Sequence, residues 1–145
     1  MKSPRTSVAA IISATIILVG CEVFVIGTTQ RRVAPIERSQ RTSAGVVHVF
    51  KAEIDSGNTT AATELMVNTT GRPLLAVEKY ELADDLVRWR SVMAGVPISE
   101  TQVDTLSDAS HEVTITLDYI RKMRFETLRK EGSWWITKIL DLQRK

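Results

Sequence analysis

Residues 111–141 read HEVTITLDYIRKMRFETLRKEGSWWITKILD, and the alternation inside this stretch decides the fold. Val113, Ile115, Leu117 and Tyr119 alternate with Thr114, Thr116 and Asp118, a period of two that predicts a strand with one buried face. Met123, Phe125 and Thr127 alternate in the same way with Arg124 and Glu126. Glu131-Gly132 then supplies a hairpin turn into a third run, Trp134 to Ile139. A weaker strand signal around Gln102 to Leu106 brings the expected antiparallel sheet to about four strands.

Upstream of Pro97 the period is helical. Val46, Val47, Phe50 and Ile54 recur at spacings of three and four, Ser43 is placed to cap their helix, and Gly57 suits its left-handed C-terminal position. Asn58 or a following Thr can start a short second helix carrying Ala61, Ala62, Leu65 and Met66. After the break at Gly71-Arg72-Pro73, a third helix is expected from Pro73 to about Ala94, stopped by Gly95 and Pro97. Its stripe is Leu75, Leu82, Leu86, Trp89 and Met93, within about 40° of one line at 100° per residue. Lys79 falls inside that stripe, so a bend or break is expected there. Helices followed by a meander make an α+β domain over residues 43–142, two to three helices packed on a curved antiparallel sheet.

The N-terminus carries a separate signal. Lys2 and Arg5 precede an apolar run from Val8 to Gly20, and Leu18-Val19-Gly20-Cys21 places the chain's single cysteine after a small residue. This resembles the lipobox of bacterial lipoproteins, in which a secretory leader is cut just before a thiol that receives diacylglycerol. On that reading residues 1–21 are a signal peptide, Cys21 is the lipid attachment site, and the protein sits on the extracytoplasmic face of the cell membrane or the outer membrane. Val23-Phe24-Val25-Ile26-Gly27 prolongs the apolar character, so residues 8–27 also have the length of an uncleaved transmembrane anchor. Glu22 near the end of such a span costs less than it would at the bilayer centre. Arg31, Arg32, Arg38 and Arg41 follow the segment, and for an uncleaved helix they favour a cytoplasmic C-terminal domain. Residues 28–42 lack periodicity and read as a linker.

Composition narrows the function classes. Removing Lys2 and Arg5 from the 19 basic residues leaves them equal in number to the 17 acidic ones, so the mature chain has no general basic footprint for nucleic acid. The charge is uneven, though: Glu78 to Asp118 is mainly acidic, and Tyr119 onward is mainly basic. One cysteine permits neither an internal disulfide nor a thiolate zinc cluster. The two histidines, His48 and His111, share no face, so no metal site is expected, and no cofactor motif occurs.

The last piece of pattern is a resemblance. Val46, Val47, Phe50, Gly57 and Asn58 match a first helix of the form Val-Val-x-x-Phe-x-x-x-x-x-x-Gly-Asn, and Gly132-Ser133-Trp134-Trp135-Ile136 matches a final Gly-x-Trp-Lys-Ile hairpin strand. Over residues 43 to 142 the chain resembles small bacterial lipoproteins with a nuclear-transport-factor-two-like, cystatin-like domain, in which helices and a curved sheet form a cone. Trp135 stands where that pattern usually has lysine.

Relatives of this fold can place an Asp, His or Tyr in an apolar cone pocket for acid–base chemistry. Here the lining of such a pocket would be Tyr80, Tyr119, Phe125 and Trp134. Asp118 should face away from the apolar set, His111 stands at a strand start beside Glu112, and His48 shares a solvated face with Lys51 and Asp55. No catalytic residue is assigned. Alternation points Trp134 inward and Trp135 outward, and Trp135 with Arg124 forms the expected contact surface. The expected function is a non-enzymatic, membrane-tethered envelope lipoprotein that binds a partner protein or small apolar ligand. The alternatives are a single-span component of a secretion or lipid-import machine, and a cone-pocket isomerase or hydratase.

Overall fold

A computed structural model describes residues 35–143, all within one compact unit, Ala34–Lys145. Cys21, the 1–21 leader, the 8–27 span and the first part of the 28–42 linker lie outside the described residues. None of the described helices is long and apolar enough to cross a membrane.

Among the described residues four helices precede four strands: α1 (Ser43–Ser56), α2 (Thr59–Glu64), α3 (Ala76–Glu81), α4 (Ala83–Met93), then β1 (Ile98–Ser107), β2 (Ser110–Leu117), β3 (Arg121–Lys130) and β4 (Ser133–Asp141). The strands form one antiparallel sheet in the order β1-β2-β3-β4, an α+β meander.

Helix α1 is the packing element. Val46, Val47, Phe50 and Ile54 are all fully buried, against inward residues of the sheet such as Val113, Ile115, Met123 and Phe125. Its N-cap is Thr42, whose Oγ1 accepts the Gly45 N–H at 2.9 Å. Ser43, the expected cap, is buried one residue inside the helix and bonds His111 instead. Gly57 ends the helix at φ 78°, a conformation that costs glycine little. Asn58 then caps α2 through its side-chain oxygen.

The expected single helix from Pro73 to Ala94 is two helices that meet at Leu82. Pro73 lies ahead of α3, in a bridge pairing with Val67, rather than at a helix start. Glu78 opens α3 by accepting the Leu75 N–H, and this bond together with Arg72 holds its carboxyl below the usual carboxylate range. Lys79 leaves the apolar stripe to pair with Glu64 on α2. Leu86, Trp89 and Met93 of α4 enter the core, whereas Leu75 is exposed because α3 turns away.

Strand β1 is longer than expected and forms an outer edge, exposed from Gln102 to Ser107 and carrying Glu100 and Asp104, charges that discourage further strand addition. The opposite edge is covered. Trp134 N–H bonds Gln40 O at 2.8 Å, Ile136 N–H bonds Leu65 O at 3.0 Å, and Val67 N–H bonds Ile136 O at 2.9 Å. The folded domain therefore reaches back to Gln40, ahead of the expected boundary at residue 43. Within β3–β4, Glu126 pairs with Lys138 but Thr127 pairs with Ile136, leaving Thr137 as a bulge. That extra residue is why Ile136 and Ile139, three apart, are both buried.

Candidate functional site

The four residues expected to line a cone pocket do not come together. Phe125 is fully buried, and its ring meets Phe50 edge-on at 5.9 Å, while Phe50 meets Trp89 at 6.3 Å. These three rings pack against one another between the helices and the sheet. Trp134 is buried on the same face, where the His111 ring lies against its indole at 4.2 Å, tilted by 35°. Tyr80 and Tyr119 lie elsewhere, at 82% and 85% exposure. Tyr119 fails to follow Leu117 inward because β2 ends at Leu117, and Asp118 and Tyr119 turn the chain with φ of 46° and 60°. Alternation holds only while the backbone stays extended.

His111, near the start of β2 beside Glu112, is half-buried, its Nδ1 2.8 Å from Ser43 Oγ. The face of α1 expected to be solvated is also partly covered. His48 is half-buried with Nε2 3.0 Å from Thr101 Oγ1, and Lys51 is buried, held by Asp55 at 2.6 Å. Burial, then Arg38 and then Lys51 hold the His48 imidazole below its ordinary value. A Lys four residues before an Asp was a sequence signal for that ion pair. Nothing local showed that Arg38 or Gly95 would close over it.

On the outer face of the sheet, Arg124 Nε lies 3.0 Å from Glu112 Oε1. The N–H is not aimed at the carboxylate, so this is an ion pair without a good hydrogen bond. Arg124 is thus half-covered within the sheet face rather than free at a rim.

Trp135 borders a concavity. Its side chain is half-buried at one wall of a cleft of about 270 Å³, formed where the 66–74 segment folds over the β3–β4 hairpin. Met66, Val67, Pro73 and Leu74 supply the apolar surface. The rim is charged: Lys79 pairs with Glu64, and Lys130 Nζ donates to Gly71 O at 3.0 Å. Gly71, at φ 78°, passes so close beneath the hairpin that a Cβ there would meet Lys130 Cδ at 3.0 Å. An aromatic wall, an apolar floor and a few fixed charges are the make-up of a site for an apolar group with a polar end. Trp135 is the residue of the expected contact surface that lines this cleft; Arg124 is not among its lining residues. Among the described residues no cluster of His, Cys, Asp and Glu could hold a metal ion. Neither family models nor curated proteins match this chain.

Proposed function

We propose that this chain is a membrane-tethered extracytoplasmic lipoprotein of the cell envelope, anchored through Cys21, with a nuclear-transport-factor-two-like domain. The domain works by binding a partner protein or small apolar ligand rather than by catalysis. The Trp135 cleft is the observation that carries the binding half of this reading. An indole is left half-exposed beside an apolar floor of about 270 Å³, where a surface lysine would serve solubility better. The Leu18-Val19-Gly20-Cys21 run carries the tether.

Two measurements test the halves separately. Intact mass of the membrane-extracted protein should show cleavage before Cys21 and added acyl chains, and Cys21→Ser should leave unmodified precursor. Wild-type protein with neither change refutes the lipoprotein in favour of the uncleaved span. For the domain, a photo-crosslinking amino acid in place of Trp135 should yield a discrete adduct in intact cells. Replacement at exposed Leu106, on β1 at the opposite edge of the sheet, should not. Equal labelling at the two positions refutes the cleft as the binding surface.

A further inference from the structure

A second cavity, of about 370 Å³, opens between α1, the Gly95–Ile98 connection into β1, and the segment ahead of α1. Its walls bring three basic side chains from two places in the sequence to one space: Arg38, His48 and Lys51. Asp55 is the acidic group among the residues lining it, and that carboxylate is occupied. Both its oxygens take Lys51 Nζ at 2.6 Å, and Oδ1 also accepts the Gly95 N–H at 2.9 Å. Lys51 and Asp55 therefore cancel as charges. Arg38, exposed at the rim, forms no ion pair or hydrogen bond among the described contacts, so the space keeps the net charge of one guanidinium. His48 spends Nε2 on Thr101 and turns its remaining ring nitrogen to no described partner.

We propose that this cavity binds a phosphate group, as a small phosphate ester or as a lipid headgroup. A guanidinium offers a planar fork of donors, and charge-assisted bonds to an oxyanion are about twice as strong as neutral ones. Arg38 lines the space from the segment ahead of α1 and His48 lines it from α1 itself, so its donors stand on two separate elements, which suits a tetrahedral oxyanion better than a flat carboxylate. The cavity exceeds the size of bare phosphate and leaves room for an ester substituent. Arg38 and Lys51 already oppose a proton on His48, as does burial, so a bound anion would reverse the local field and return that proton. Phosphate binding and His48 protonation are then linked, each favouring the other.

The test uses the full-length protein in neutral detergent micelles at constant ionic strength, titrated with inorganic phosphate and then glycerol phosphate. The readout is the ring chemical shift of His48 across pH. Saturable binding in the millimolar range or tighter is expected, with the His48 midpoint moved to higher pH, while His111 serves as the internal control. Arg38→Gln alters an exposed side chain outside the core, so the fold should be retained; affinity should fall about tenfold or more, with Arg38→Lys between the two. Nanodiscs containing phosphatidic acid, compared with phosphatidylcholine alone, separate the sources. A His48 shift there without free phosphate assigns a headgroup; a shift with soluble esters only assigns a soluble ligand. No saturable His48 response to any of the three, or an identical response in Arg38→Gln, overturns the site.

Discussion

Replacing Phe50 with alanine should remove the centre of the packing described above. Its ring is fully buried and makes edge-on contacts with both Trp89 and Phe125, at 6.3 Å and 5.9 Å. Deleting a buried phenyl group typically costs about 3–5 kcal/mol, including the cavity left behind. Two aromatic partners place this site at the upper end, since each edge-to-face pair adds roughly 0.5–1.5 kcal/mol beyond burial. Helix α1 touches all four strands and α4, so collapse of the hole would have to move several elements together. We therefore expect a loss of about 4–5 kcal/mol, against a total near 5–15 kcal/mol for a domain of this size. The assay is urea unfolding of residues 35–145 followed by indole emission, with Trp89 and Trp134 as buried reporters. At a slope of about 2 kcal/mol per molar, the midpoint should fall by about 2 M, with Phe50→Leu losing much less. A fall below about 0.5 M at unchanged slope would mean that α1 does not hold the sheet as argued.

Three further outcomes follow from single contacts. A fragment beginning at Arg41 loses both Gln40 bonds to Trp134 and should unfold about 1–3 kcal/mol more easily than one beginning at Pro35; equal midpoints would show that the edge contact is dispensable. Tyr119→Gly relieves a bulky side chain at φ 60° and creates an Asp-Gly turn, so stability should rise by up to about 1 kcal/mol, whereas a loss would reveal packing by the exposed ring. His48 has its folded-state value held below the ordinary 6.5 by burial and two cations, so the unfolded chain binds its proton first. Its contribution is therefore intact above about 6.5 and declines as pH falls from there towards the lower folded value. His48→Gln should flatten that segment of the stability–pH curve, and an unchanged slope refutes the assignment.

The strand faces and the first helix were legible because each is written in a local period. Val113, Ile115, Leu117, Met123 and Phe125 are buried at every second position, and Val46, Val47, Phe50 and Ile54 at helical spacing, since extended and helical backbones place side chains at those intervals whatever surrounds them. Caps at Gly57 and Asn58 and the turn at Glu131-Gly132 were readable for the same reason, as each depends on one or two residues' own conformational preferences. Where one local rule competed with another, the outcome came from distant contacts. Lys79 found Glu64 and Leu82 became the junction of two helices; Ser43 surrendered the cap to Thr42 once His111 lay across from it. The cavities are the extreme case. Trp135 acquires a floor only because residues 66–74 fold back over its hairpin, and Arg38 meets His48 and Lys51 only because the segment before α1 lies alongside that helix. Periodicity is a property of neighbours in sequence, whereas a concave surface depends on segments far apart in sequence packing to enclose the same volume, so it arises only in the assembled fold.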